Sequence, residues 1–193
     1  MLRTRDRCRS KTDDELAALR EAGYTGLTIG IETGDDAALA FMNKGYAAQD
    51  IVAQCARLDA ADIAYAFFYL AGISGKGRGI EGARLTTAAC NQTRPSLIGA
   101  NMLTIYKNSE LYQEILDGNW EEETEIEKYQ EIKALVEGLE IPVEFAMLGA
   151  SNPVMLQGRL PEQRGQLLAA LESIINDIGE YRLRSYRTNL RHH

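Results

Sequence analysis

The chain has 193 residues, of which 45% are hydrophobic and 25% are charged, and its formal net charge is −7. This length and apolar fraction suit one domain with a sizeable core, with or without an appendage. The negative charge argues against a general nucleic-acid binder. No apolar run reaches the roughly 18–20 residues of a membrane-spanning helix. The first residues lack the apolar core of a signal peptide, so we expect a cytoplasmic protein without a membrane partner.

The amino-terminal segment alternates in character from residue 2 to residue 9. Arginines occupy its odd positions from residue 3 onward, and Leu, Thr, Asp and Cys occupy the even ones. A period of two predicts a strand. The arginine row either lies at a solvated edge or faces a polar cavity that holds a ligand. In the second case, Arg5 is the residue that we place toward the cavity.

Strand and helix patterns alternate downstream as far as residue 117. The first helix begins after Thr12, which has Glu15 three residues later, and it ends at Gly23. Strands are predicted at residues 25–31, 63–70 and 97–105, and the first is apolar enough to be buried on both faces. Helices are predicted at residues 35–41, 48–59, 80–92 and 109–117. This alternation predicts right-handed βαβ units and a parallel sheet.

The patterns after residue 118 are mainly helical. An acidic helix is predicted at residues 121–138, with its carboxylates on a solvated face. Residues 139–158 are expected to be irregular, and a leucine-rich helix begins at Pro161. We therefore divide the chain into an α/β unit, residues 1–118, and a helical C-terminal extension, residues 119–193.

Few residues of the sequence suit catalysis or metal binding. Cys8, Cys55 and Cys90 are too far apart for a local cluster or zinc motif, and the last two lie in helical patterns as buried packing residues. The only histidines are His192 and His193, so no Ser–His–Asp or Cys–His unit can be assembled inside the domain. We assign no catalytic residue and no metal ligand.

Three stretches of the chain are distinctive. They are Thr-Ile-Gly-Ile-Glu-Thr-Gly-Asp-Asp-Ala-Ala-Leu-Ala-Phe-Met-Asn-Lys-Gly at residues 28–45, Ala-Gly-Ile-Ser-Gly-Lys-Gly at 71–77, and Leu-Thr-Ile-Tyr-Lys-Asn-Ser-Glu-Leu-Tyr-Gln-Glu at 103–114. Their order resembles the second half of the barrel in radical S-adenosylmethionine (SAM) enzymes. The tail from Gly158-Arg-Leu-Pro-Glu is similar to the branch of iron–sulfur oxidoreductases or coproporphyrinogen oxidase-like proteins. The resemblance implies an α/β fold, a partial TIM-like (β/α) barrel with a parallel sheet, followed by the helical extension.

The resemblance also implies two cofactors, SAM and a 4Fe–4S cluster. In that family a Cys-x-x-x-Cys-x-x-Cys loop holds three irons, SAM chelates the fourth, and electron transfer yields a 5′-deoxyadenosyl radical that abstracts hydrogen from a substrate. The sequence contains no such triplet. Its first predicted strand resembles the family's third, which implies that two strands and the cluster loop lie outside the chain. We therefore expect a fragment of an oxidoreductase that is inactive alone.

The SAM-binding residues that the resemblance implies lie after successive strands. Glu32 matches a position where a polar side chain approaches the SAM ribose or amino group, and a carboxylate can accept hydrogen bonds from both. The glycine-rich stretch matches a motif that packs against adenine through its backbone. The full set is Arg5, Glu32, Thr33, Gly72, Ser74, Gly75 and Thr104. Read without the resemblance, Glu32 is a salt-bridged strand end, the glycines form a surface loop, and Thr104 packs in the barrel.

Two other interpretations stay open. The chain is a non-catalytic α/β interaction module, in which the Leu/Ile stripe of the last helix or an exposed edge strand forms a homo-oligomer. Alternatively, it is a (β/α) enzyme whose glycine loop cradles a phosphorylated small molecule at a helix N-terminus. A basic stretch at residues 181–191 suits RNA less well than it suits a helix end that complements the dipole. The substrate, small or macromolecular, cannot be derived from a fold.

Overall fold

The computed structural model describes residues 11–189, which form a five-stranded sheet and the helices packed on one of its faces. The strands are β1 (Gly26–Glu32), β2 (Ala64–Ala71), β3 (Leu97–Met102), β4 (Val143–Met147) and β5 (Leu156–Leu160). The helices are α1 (Asp13–Glu21), α2 (Asp36–Phe41), α3 (Ala48–Ala60), α4 (Gly79–Cys90), α5 (Glu110–Leu116), α6 (Glu125–Gly138), α7 (Arg164–Ser173) and α8 (Glu180–Thr188), and a π-helix, Ile174–Ile178, lies between the last two. The predicted strand at residues 2–9, with Arg5 and Cys8, lies outside the described residues.

The strands follow one another across the sheet in chain order. β1 to β4 are parallel, as the strand–helix alternation predicted, and β5 returns antiparallel to β4. The architecture is a partial, open (β/α) barrel. Because the first four strands point the same way, their carboxyl ends share one edge of the sheet, which we call the carboxyl edge.

One face of the sheet builds the core and the other is uncovered by the described residues. In β2, Tyr65, Phe67 and Tyr69 are buried beneath the helices, whereas Phe68 between them is exposed. We call the second face the open face. The prediction that the first strand is buried on both faces was wrong, because β1 alternates buried and exposed positions along its length. Its high apolar content did not encode which face the helices cover.

The carboxyl-terminal third is not purely helical, contrary to our prediction. β4 and the first part of β5 lie within the stretch expected to be irregular, and both strands extend the same sheet. Val143, Phe145 and Met147 are the buried positions of β4, a period-two signal that two nearby prolines obscured. The boundary at residue 118 itself stays a prediction.

Several local predictions are confirmed. Glu15 and Thr12 exchange the two hydrogen bonds of a capping box at the start of α1, at 3.2 and 2.8 Å. Cys55 and Cys90 are buried in the core. The stripe of the last long helix also packs into the core, with Leu167 and Leu171 buried, so it does not present an apolar interface. None of the helices in residues 11–189 could cross a lipid bilayer.

Candidate functional site

Three of the predicted SAM-binding segments lie side by side at the carboxyl edge. Glu32 ends β1 and pairs with Tyr69 of β2. Two residues beyond that position, Ala71 accepts a 2.9 Å hydrogen bond from the backbone amide of Leu103, which follows β3. The chain therefore brings the end of β1, the start of the glycine-rich loop and the segment that contains Thr104 to one edge.

Glu32 is turned onto the open face by an irregularity in the strand. The register shifts between Gly30 and Glu32, and Glu32 has a φ of 61°. Left-handed backbone is uncommon for glutamate and costs on the order of 1–3 kcal/mol, and such strain concentrates at functional sites. The carboxylate lies over Gly30, where a Cβ atom would sit 3.2 Å from Oε1. It is 26% exposed and forms an ion pair of 3.2 Å with Lys44, so it is both salt-bridged and open to a ligand.

Thr33 is directed away from Glu32. Its side chain is fully buried, its hydroxyl lies 3.2 Å from the hydroxyl of Thr86, and it accepts a 3.1 Å hydrogen bond from the backbone amide of Asp35. The next residue, Gly34, packs directly against the backbone of α4. The structure thus places Thr33 where it fixes the turn into α2 against α4 and does not bring it together with Glu32.

The glycine-rich stretch, residues 72–79, hereafter the glycine loop, is held by acidic residues of the same chain. These residues belong to positions 120–131, which we call the acidic segment. The backbone amide of Gly72, which has a φ of 89°, donates to Glu131 Oε2 at 2.7 Å. The amide of Lys76 donates to the carbonyl of Glu121 at 2.9 Å. The glycines of this loop allow its backbone to approach the acidic segment closely.

Two carboxyl groups of the acidic segment meet at the start of α4. Glu123 and Glu131 are both buried, and the side chain of Glu131 also accepts a hydrogen bond from the hydroxyl of Tyr69. Burial and the neighbouring Glu131 raise the pKa of Glu123 to about 9, and burial also raises the pKa of Glu131. Glu123 is therefore protonated at neutral pH and can donate to Glu131.

These contacts overturn the prediction of a solvated acidic helix. In addition to Glu123 and Glu131, Lys128 is completely buried and lies 2.6 Å from Glu122 and 3.2 Å from Glu125. The acidic composition of this segment suggested that its carboxylates are exposed, because buried carboxylates are rare unless they are paired. The pairing partners come from the glycine loop and from β2, which lie far away in sequence.

The C-terminal helix reaches the same edge through Arg187, which sequence reasoning missed. Its Nε atom lies 2.9 Å from Glu125, and its Nη2 atom donates to the carbonyl of Leu103 at 2.5 Å. Arg187 thereby ties α8 to the segment after β3 that precedes Thr104. The basic character of residues 181–191 was the only signal in the sequence.

The same carboxyl groups weigh against a phosphate at the N-terminus of α4. A Cβ atom on Gly79, the first residue of α4, would lie 2.2 Å from Glu123 Oε1 and 2.8 Å from Glu131 Oε2. The backbone amide of Gly79 lowers the pKa of Glu123 by hydrogen bonding, although burial outweighs it. The anion-binding position of this helix is thus filled by the chain's own side chains.

Ser74 and Gly75 line a separate cleft of about 370 Å³. The cleft lies between α2, the glycine loop and the start of the acidic segment, and we refer to it as the α2 cleft. Its lining residues are Ala37, Ala38, Phe41, Ile73, Ser74, Gly75, Lys76, Arg78, Asn119, Trp120 and Glu121. Glu32 and Thr104 are not among them. The predicted pocket residues therefore share an edge but divide between the open face and this cleft.

The described residues do not fit an iron–sulfur cluster. Residues 11–189 contain no group of three or more His, Cys, Asp or Glu side chains placed to hold a metal ion. Cys55 and Cys90 are packed in the core, and burial raises the pKa of the Cys90 thiol to about 12. A buried thiol of this kind is not a thiolate ligand at neutral pH.

Comparisons with known proteins bear on the fold alone. No protein-family model matches the chain, and no curated protein matches it. Among solved structures, the archaeal Methanocaldococcus infernus Elp3 with an N-terminal deletion of residues 1–46 is similar, with a TM-score of 0.59 and 13% sequence identity. The similarity covers 84% of this chain and 39% of that chain. At this identity the similarity shows a shared fold over that part of the archaeal protein.

Proposed function

We propose that this chain is the second half of a radical SAM barrel and contributes part of the SAM pocket of an iron–sulfur oxidoreductase. The fold similarity and the stretch around residues 28–45 support the proposal together. The single observation that carries it is the turn of Glu32 onto the open face at the carboxyl edge, because ligands of parallel α/β sheets bind at that edge.

The fit of SAM to this edge depends on a few groups. The carboxylate of Glu32 can accept hydrogen bonds from the ribose hydroxyls or from the amino group of SAM, and Lys44, at 3.2 Å, holds it in place. The backbone at Gly72 follows the neighbouring strand at the same edge, and the segment with Thr104 follows the strand beyond it. Bound beside a reduced cluster, SAM supplies hydrogen-atom abstraction. The described residues only bind and orient, and a separate segment must provide the cluster ligands.

The role of Glu32 is tested by calorimetric titration of the chain with SAM. We expect Glu32→Gln to weaken binding by about 10- to 100-fold, since a charge-assisted hydrogen bond contributes roughly 1.5–3 kcal/mol. Glu140→Gln is the matched control, because Glu140 is exposed and precedes β4 at the opposite edge. Equal SAM affinity in wild type and Glu32→Gln would refute the assignment of Glu32.

The parent reaction is tested by reading the gene upstream. The proposal expects a Cys-x-x-x-Cys-x-x-Cys triplet within one or two βα units, roughly 60–100 residues, before this chain. An upstream reading frame without that triplet would end the radical SAM proposal. The non-catalytic module would then be the better account, and light scattering would test for the expected self-association.

A further inference from the structure

The α2 cleft has the size and the fixed walls of a ligand site. Pockets for small molecules usually span about 300–1,000 Å³ and are largely formed before binding, and this cleft measures about 370 Å³. The amide of Lys76 donates to the carbonyl of Glu121 at 2.9 Å and joins two of its walls. Gly75, with a φ of 80°, leaves space for Trp120, whose Nε1 atom would lie 2.7 Å from a Cβ at that position.

Arg78 is held in place at the mouth of this cleft. Its Nη2 atom lies 2.8 Å from Oδ2 of Asp35, whose side chain is only 2% exposed. The other carboxylate oxygen of Asp35 accepts from the backbone amide of Ala37 at 3.0 Å, so Asp35 is itself fixed at the start of α2. The side chain of Arg78 nevertheless remains 52% exposed. A guanidinium oriented on one side and open on the other is prepared to bind an anion.

The uncharged part of the wall is largely apolar, with Ser74 and Asn119 as its polar side chains. Phe41 is 45% exposed, although most large apolar side chains of the chain are buried, and it lines the cleft with Ile73 and Trp120. Ala37 and Ala38 form the α2 wall and leave room beside the aromatic residues. Among the charged lining residues, two are cations, Lys76 and Arg78, and one, Glu121, is an anion. Lys76 forms an ion pair with Glu121, but its side chain is 48% exposed.

We propose that the α2 cleft binds a planar aromatic ligand that carries a negative charge, such as a nucleobase joined to a phosphate. The aromatic walls contact the ring, and Arg78 and Lys76 contact the anionic group. The inference goes beyond the proposed function, because the sulfonium of SAM is a cation and neither Glu32 nor Thr104 lines the cleft. It also differs from a phosphate at the N-terminus of α4, which the chain's own carboxyl groups occupy.

The chain provides its own reporter, since Trp120 is its only tryptophan. The probes are AMP, adenosine, SAM and inorganic phosphate, titrated against intrinsic tryptophan fluorescence. We expect AMP to change the emission in a saturable way, with an affinity at least about tenfold higher than that of adenosine or SAM. Inorganic phosphate alone should not change it. If the emission of Trp120 does not change at about 1 mM AMP, or if the affinities for AMP and adenosine are equal, the proposal is overturned.

Three variants locate the site. Arg78→Gln and Lys76→Gln should each lower the affinity for AMP by about tenfold or less and leave the affinity for adenosine unchanged. Phe41→Ala should lower the affinity for both ligands. The control is Arg84→Gln, since Arg84 is a largely exposed residue of α4 outside the cleft. Thermal unfolding verifies that each variant is folded. Identical AMP affinities in Arg78→Gln, Lys76→Gln and the control would overturn the assignment. Glu32→Gln should leave AMP binding unchanged, which separates this test from that of the proposed function.

Discussion

Glu123 and Glu127 lie four residues apart, yet the fold shifts the pKa values of their carboxyl groups in opposite directions. Burial and the neighbouring Glu131 raise the pKa of Glu123 from 4.5 to about 9. The pKa of Glu127 is lowered, because its carboxylate accepts a 2.7 Å hydrogen bond from the backbone amide of Thr124. Replacing each glutamate by glutamine should therefore change the stability in opposite directions.

The expected gain from Glu123→Gln follows from proton linkage. The pKa of Glu123 is higher in the folded than in the unfolded chain, so its protonated carboxyl group contributes fully to stability only below pH 4.5. This contribution is lost as the pH rises to about 9. Each pH unit in this window costs about 1.4 kcal/mol, so the cost at pH 7 is at most roughly 3 kcal/mol. Glutamine resembles the protonated carboxyl group and carries no such cost. We expect it to raise the free energy of unfolding at pH 7 by about 1–3 kcal/mol and at pH 5 by under about 1 kcal/mol.

The control, Glu127→Gln, should lower stability at pH 7. Because the pKa of Glu127 is lowered by folding, its carboxylate stabilises the fold at pH values above the unfolded pKa, and this contribution is lost as the pH falls. The cost of Glu127→Gln should therefore disappear in acid. Because Glu127 is only partly buried, we expect about 0.5–1 kcal/mol. Urea unfolding followed by circular dichroism at pH 5, 7 and 8.5 measures both variants. A difference between wild type and Glu123→Gln that does not grow with pH would refute the buried-proton argument.

Two further predictions concern contacts that only the fold creates. Arg187→Met should lower the free energy of unfolding by about 1–3 kcal/mol, because Arg187 is 12% exposed and its loss leaves the buried carboxylate of Glu125 with Lys128 as its remaining cationic partner. Arg184→Met, at a 63% exposed position, should change it by under about 0.5 kcal/mol, and equal melting temperatures would contradict this. Gly79→Ala should cost about 1–3 kcal/mol, because its Cβ would overlap Glu123. Gly165→Ala, with open space around it, should stabilise α7 by a few tenths of a kcal/mol, and a Gly79→Ala protein as stable as Gly165→Ala would exclude the overlap.

The local structure was predictable because it depends on patterns of residues that are close together in the sequence. The capping box of α1 needs only Thr12 and Glu15, and β1, β2 and β3 need only a run of apolar residues between glycine or proline signals. From these elements in order, the parallel sheet follows, and with it a shared edge for the ends of β1, β2 and β3. The positions of Glu32, Gly72 and Thr104 at that edge were therefore available from the sequence.

The sequence did not predict where the side chains at this edge point or what surrounds them. Thr33 adjoins Glu32 but its hydroxyl meets that of Thr86, 53 residues away. The strand pattern did not reveal this contact, the register shift before Glu32 or the left-handed backbone at Glu32. The α2 cleft likewise exists only because Gly75 lets Trp120 approach from another part of the chain.

As far as α5, the sequence by itself determined the element types, their order and the edge at which ligand groups collect, since these depend on periodicity and capping over a few residues. Only the tertiary structure decided which acids are buried and which cations face them. The acidic segment has the composition of a solvated helix, and it is buried because the glycine loop presents backbone amides and because Lys128 and Arg187 neutralise its charge. Lys128 belongs to the segment itself, but the glycine loop and Arg187 are distant in sequence. Burial of a charge depends on whether such partners arrive at the same point in space.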